Sequence, residues 1–293
     1  MTNLLPPNRL RRWANQGILT NRVAFISNGQ REMINEPNIL TQIQQLETLA
    51  ANAWPAAEVA ALAGWRLRYT AGVTRRANSV WPNGTTGAMG VAEKLLAAEA
   101  FYQERKLPTR YQISPAAQPL DLDDQLAARG YMAVARTAVQ VAPLTTMLAK
   151  TPPLRQYPEF VIEVAEAFDE GWFAAYVDFA EEDRGGFAIR REIIQRISAP
   201  TGFALLQIDN QPAPVGLGVV EDGWLGIFCM GTAPAFRRRG AARAILRALA
   251  LWAQLQGAEH AYLQVMDSNS AARPLYASIG FDTLDHNHYR EQR

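Results

Sequence analysis

Only one of the 293 residues is cysteine, Cys229, so no disulfide can form within the chain, and the composition fits a reducing compartment. Only three are histidine, two of them in His286-Asn287-His288, which is no metal-ligand spacing, so no metal is expected. No stretch reaches the roughly 20 apolar residues of a membrane span. The opening Met1-Thr2-Asn3-Leu4-Leu5-Pro6-Pro7 lacks the basic and apolar regions of a secretion signal. A net charge of +1 removes any bulk attraction to polyanions. The expectation is a soluble, cytoplasmic protein with no nucleic-acid partner and no membrane partner. What is there is ordinary globular material, 48% hydrophobic and 19% charged, over a length comfortable for two domains.

The informative stretch is Arg237-Arg238-Arg239-Gly240-Ala241-Ala242. Before it, residues 224–232 form an apolar run of strand length, ending Met230-Gly231-Thr232. After it, Ala242, Ile245, Leu246, Leu249, Trp252 and Ala253 recur at helical spacing. A small-residue turn that opens a helix after a strand suits an anion. The first helical N–H groups have no internal partner, the helix dipole favours negative charge, and glycine lets a phosphate approach the backbone. The spacing is neither the P-loop nor the dinucleotide fingerprint. Taken alone, three arginines at a helix start could equally be a solvated face.

Downstream, residues 260–266 read as another strand, followed by a short helix and a last strand to about residue 289. Two motifs stand out in order: Arg237-x-x-Gly240-x-Ala242, preceded by Thr232-x-Pro234, and Asn269-x-x-Ala272-x-x-Leu275-Tyr276-x-x-x-Gly280-Phe281. With these motifs the stretch from residue 160 to 293 resembles the GNAT superfamily of acyl-CoA-dependent N-acyltransferases. The resemblance implies that the strand ending at Thr232 holds the pantetheine arm of acetyl-CoA. A backbone N–H near Met230 or Gly231 would polarise the thioester carbonyl. The amides of Arg238, Arg239, Gly240, Ala241 and Ala242 would bind the pyrophosphate, with Arg237 or Arg239 adding charge. Tyr276 would protonate the departing thiolate, its bland alternative being a buried core tyrosine. Asn269 would meet the pantetheine or cap the following helix.

The general base is less legible. Superfamily members often carry a glutamate on the central strand, and residues 224–232 contain none. Asp267, after the next strand, is the best single candidate, with a water-mediated base or no base left open. Glu221 and Asp222 read as hairpin residues, and Cys229 as a small buried apolar residue. Trp172, Phe173 and Tyr176, with Phe187 and Ile189, fall where the acceptor cleft would form, although such a stripe is more often core. Glu181, Glu182 and Asp183 would attract an ammonium or form a solvated loop.

In the first half, strands are expected at 65–73, 109–113 and 131–141, with helices at 38–52, 87–105 and 120–128. Gly130-Tyr131 stands where Gly280-Phe281 stands in the second half, which points to a tandem of two GNAT-like units, the first degenerate. Its strand-to-helix turn reads Arg75-Arg76-Ala77-Asn78-Ser79-Val80-Trp81-Pro82-Asn83-Gly84, either a binding surface for an acidic or planar ligand or a polar turn. The expected fold is α/β (α+β), each unit a mixed, mostly antiparallel sheet flanked by helices. The expected domains are 1–145 and 159–293, joined by a proline-rich linker at 146–158. The expected activity is transfer of acetyl from acetyl-CoA to a small-molecule primary amine in a ternary complex, by a monomer or homodimer. A non-catalytic acyl-CoA sensor and a protein or peptide N-acetyltransferase are the rivals.

Overall fold

A computed structural model describes residues 36–292 apart from 85–86, 152–159 and 180–183. The first half contains α1 (Glu36–Asn52), β1 (Glu58–Leu62), β2 (Trp65–Tyr69), β3 (Val80–Trp81), α2 (Val91–Glu104), β4 (Arg110–Ile113), α3 (Leu122–Ala128) and β5 (Met132–Pro143). Then follow α4 (Leu144–Lys150), β6 (Phe160–Ala165), α5 (Glu170–Phe179) and α6 (Phe187–Gln195). The second half closes with β7 (Thr201–Ile208), β8 (Gln211–Glu221), β9 (Trp224–Thr232), α7 (Ala241–Leu255), β10 (His260–Met266), α8 (Ala272–Ser278) and β11 (Asp282–Glu291).

The architecture is mixed α/β, with helices on both faces of one 11-stranded sheet ordered β1-β2-β3-β4-β11-β5-β10-β9-β8-β7-β6. Among the described residues only β3–β4 and β9–β10 run parallel, one pair in each half. The hairpins β7–β8 and β8–β9 turn at Asp209-Asn210 (φ 52° and 60°) and Asp222-Gly223 (φ 48° and 76°). Two successive left-handed residues match the twist of the flanking strands, which is why these residue types sit there.

The two halves are woven together at the middle of the sheet. β11, the last strand of the second half, pairs with β4 and β5 of the first. In turn β5, the last expected strand of the first half, pairs with β10 of the second. The last strand of each half has thus crossed into the other. Helix α1 follows the same logic: its Leu46, Leu49 and Ala50 join the cluster around Trp172, Phe203 and Tyr262 of the second half.

The stretch expected as a linker begins as a helix. Leu144 and Met147 of α4 are buried, and the Arg247 guanidinium donates to the Leu148 and Thr151 carbonyls (3.0 and 2.8 Å), closing the helix C-terminus against α7. Prolines at 143 and 152–153 bracket that helix, which is why the segment reads as structureless in sequence. Residues 152–158 of the expected linker lie outside the described residues.

Alternation along the strands separates two cores. Leu225, Ile227, Leu263 and Val265 face α7, while Trp224, Phe228 and Tyr262 face α5 and α1. Helix α7 lies close to the sheet because β7 and β8 present glycine beneath it. A Cβ on Gly202 would stand 2.8 Å from the Trp252 ring, and one on Gly218 3.0 Å from Leu249.

Candidate functional site

The site begins with a defect in a strand. Val215 pairs with Gly231 and Leu217 with Phe228, so Cys229 and Met230 together oppose the single residue Gly216. This is a β-bulge, and Cys229 within it takes a left-handed conformation (φ 49°), uncommon for a residue with a side chain. The extra residue breaks the alternation: Phe228 and Cys229 both join the α5-side cluster, and Met230 turns to the α7 side. Gly216 makes the turn possible, since a Cβ there would lie 2.7 Å from Met230 Sδ and 2.8 Å from Ile245 Cγ2.

The bulge coincides with a fork. The parallel ladder of β9 and β10 ends at Ile227 with Leu263. Beyond it β9 stays with β8 out to Thr232, while β10 stays with β5 out to Met266. The strands diverge, and the β10-facing backbone edge of residues 228–232 has left that ladder. An extended ligand with amide groups can take the place of a strand there.

The fork leads into the expected anion cradle. The Ala233 N–H donates to Ala213 O (2.7 Å), a short 3-10 turn at Pro234–Phe236 follows, and Arg237 Nε donates back to Thr232 O (3.1 Å). Arg238 (φ 61°) and Gly240 (φ 80°) are both left-handed, so the backbone folds into a concave turn ahead of α7. The first bond of α7 runs from Ala244 N to Gly240 O, leaving the Ala241, Ala242 and Arg243 N–H groups without helical acceptors. The first turn of α7 holds no acidic residue, and Arg237, Arg238 and Arg239 are exposed. An αL glycine, free N–H groups and excess positive charge fit a pyrophosphate.

Tyr276 lies on α8 in the same apolar cluster as α7, Val265 and the partly buried Met230. It is 7% exposed, its ring meets Phe281 edge-on at 5.9 Å, and burial pushes its hydroxyl up to about 12, so it holds its proton at neutral pH. Arg243 Nη2 donates to Ser278 Oγ (2.7 Å), tying the cradle helix to the helix that carries Tyr276.

Asp267 stands at the end of β10 beside Arg136 Nη1 (3.3 Å) and His286 Nε2 (3.7 Å). Asn269 Oδ1 accepts the Ala272 N–H (3.0 Å), the capping contact at the start of α8. Of the expected aromatic stripe, Trp172, Tyr176 and Phe187 pack against one another. Glu181, Glu182 and Asp183 lie outside the described residues.

The first half repeats the geometry without the chemistry. Phe281 N bonds to Tyr276 O, and Tyr131 N bonds to Leu126 O in the same way, so leucine stands where the tyrosine stands. At the start of α2 the Glu93 carboxylate accepts the Gly90 N–H (3.0 Å), so an internal anion occupies that helix end. Gln118 N donates to Pro82 O (2.7 Å), stitching the chain after β4 to the end of β3 where a fork would open. Nothing in the sequence pattern flags Gly216 or Glu93; each acts through a strand or turn partner that appears only on folding.

Known proteins share this fold. Residues 40–291 match the family described as probable histone acetyltransferase Rv0428c, C-terminal. The uncharacterized N-acetyltransferase YobR of Bacillus subtilis (strain 168) is 32% identical over 257 residues, 87% of this chain and all of that protein. A GCN5-related N-acetyltransferase from Kribbella flavida superposes with a TM-score of 0.61 at 14% identity, covering 85% of this chain and 95% of that one. A tandem GNAT protein from the clavulanic acid biosynthesis pathway gives 0.56 at 13% identity, covering 88% and 95%. The fold and the site define a GNAT protein. The chain belongs to the Rv0428c-like acetyltransferase family. Among the described residues no helix is long and apolar enough to cross a membrane.

Proposed function

We propose that the protein transfers an acetyl group from acetyl-CoA to a primary amine by direct attack in a ternary complex. The observation that carries this reading is the bulged, forked β9 edge running into a left-handed glycine at the start of α7, a combination found among the described residues in the second half alone. Acetyl-CoA supplies the activated thioester. The β9 edge at Met230, Gly231 and Thr232 holds the pantetheine arm, and an N–H at Met230 or Gly231 receives the charge that develops on the carbonyl oxygen. The Arg238, Arg239, Gly240, Ala241 and Ala242 amides hold the pyrophosphate, with Arg237 or Arg239 beside it. As the amine nitrogen forms the C–N bond and the C–S bond breaks, Tyr276 gives its proton to the departing sulfur. The amine must arrive neutral. A base such as Asp267, which also pairs with Arg136, or a water chain, takes its proton.

The leucine at position 126, the Glu93-capped helix and the Gln118 stitch support one acetyl-CoA site per chain. One chain supplies all the groups named, so the reading needs no second copy. The test is thiol release from acetyl-CoA with a panel of amines, a lysine-containing peptide among them because the matching family is described in terms of histones. Amine-dependent release that disappears in Gly240→Glu supports the reading. Tight acetyl-CoA binding with no transfer to any amine would leave a sensor instead.

A further inference from the structure

The α5 side of the bulge carries cations. Arg76, in the connection between β2 and β3, places its guanidinium 5.5 Å from the Phe228 ring centre and 5.9 Å from that of Trp54. A cation–π contact consumes none of the guanidinium's N–H donors, which remain able to bond an anion. Among the described residues no carboxylate pairs with Arg76. The loop that carries it is fixed from within. Asn78, wholly buried, accepts the Thr70 and Gly72 N–H groups (2.7 and 2.9 Å) and donates to the Val73 and Thr74 carbonyls (2.7 and 2.9 Å). The motif read in sequence as a possible binding surface is therefore divided: Asn78 is committed to the loop, Trp81 is buried, and Arg76 is left facing Phe228, the residue just before the bulge.

A second guanidinium approaches the next residue of the bulge. Arg190 Nη1 donates to the Tyr176 hydroxyl (3.1 Å), and that hydroxyl is in hydrogen-bond contact with the Cys229 thiol. The two arginines belong to one seam: a Cβ on Gly186, at the start of α6, would stand 3.2 Å from Val73 Cγ1 of the Arg76 loop. Phe228 and Cys229 are consecutive, and the bulge turns both to this side. The cations thus flank the strand on the face opposite α7 and its cradle.

We infer that the acceptor is an amine that also carries an anionic group, and that Arg76, contributed by the first half, receives that group. This rests on the acetyl-transfer reading above. Carboxylate and phosphate are recognised by the same guanidinium geometry, so the shared chemistry is a bidentate oxyanion close to the amine. The Arg76 guanidinium also disfavours an ammonium ion nearby, which favours the neutral nucleophile without demanding a strong base. The otherwise inactive first half then has a use, since it supplies specificity to a site whose acetyl-CoA groups all come from the second.

The test uses the full chain with saturating acetyl-CoA and four acceptors: β-alanine, phosphoethanolamine, propylamine and a basic lysine-containing peptide. Thiol release gives kcat/KM, and calorimetry on the CoA-loaded protein gives affinity. The expected result is a preference of roughly 10- to 100-fold for an anionic amine over propylamine, with the stronger of the first two naming the anion. Arg76→Met, which keeps an apolar stem against Trp54 and Phe228, should collapse that ratio toward one by raising KM while the acetyl-CoA affinity stays unchanged. Arg76→Lys should keep part of the ratio, since charge survives and the fork does not. Preference for propylamine or the peptide, or a ratio untouched by Arg76→Met, overturns the inference. So does intact acetyl-CoA binding with no preference for either anionic amine, in turnover or in titration. Failure of acetyl-CoA itself to bind is a separate result and removes the underlying reading.

Discussion

Replacing Asp285 by asparagine should stabilise the protein increasingly as pH rises from 4 to 7. Asp285 of β11 is 9% exposed, its Oδ1 finds no hydrogen-bond partner, and it faces the buried Glu47 of α1. Burial, with the like charge of Glu47 second, raises it from 3.8 to about 7. The sign follows from proton counting. Between pH 4 and 7 the folded state keeps a proton that the unfolded state has lost, so stability is full below pH 4 and falls as pH rises to 7. Three units at 1.36 kcal/mol each amount to about 4 kcal/mol as an upper figure. Glu47 is itself raised by burial and its charge adds to the Asp285 shift, so the measured slope reflects both carboxylates. Asparagine keeps the shape and never ionises. Urea unfolding of both proteins at pH 4, 5, 6, 7 and 8 should give similar stabilities at pH 4. The variant should gain up to about 4 kcal/mol by pH 8, on a difference curve that flattens above pH 7. A difference that is constant across this range, or that shrinks as pH rises, would refute the buried-carboxylate argument.

Three further outcomes follow from the site. Tyr276→Phe should lower kcat by about 100-fold or more while leaving acetyl-CoA affinity unchanged in calorimetry, as expected for loss of a general acid. Gly216→Val should cost about 1–3 kcal/mol in urea unfolding, because its Cβ would collide with Met230 Sδ and Ile245 Cγ2; it should also weaken acetyl-CoA binding by disturbing the bulge. Gly240→Ala, at φ 80°, should cost about 1–2 kcal/mol and weaken acetyl-CoA binding less than Gly240→Glu, which adds a carboxylate to the cradle.

Much of the second half was legible in sequence for local reasons. The apolar runs of β7, β9 and β10 are bounded by left-handed turn residues or by Gly257, and α7 shows one continuous apolar face. The two-residue β3 and the exposed, alanine-rich β1 left no such pattern. The exchange of β5 and β11 was not legible, because Gly130-Tyr131 and Gly280-Phe281 begin equivalent strands and local pattern says nothing about which neighbour each strand takes. The cradle could be read at Gly240, since its conformation demands glycine. The bulge could not: its left-handed residue is a cysteine, and the glycine that permits it lies across the ladder at 216. Arg76 was visible as part of a basic turn, but its contact with the Phe228 ring joins residues far apart in sequence.

The central claim is that one half of this chain binds acetyl-CoA and the other does not. Calorimetric titration of the full chain with acetyl-CoA tests it most directly. One site per chain, lost in Gly240→Glu, is the predicted result; two sites per chain, or none, would contradict it.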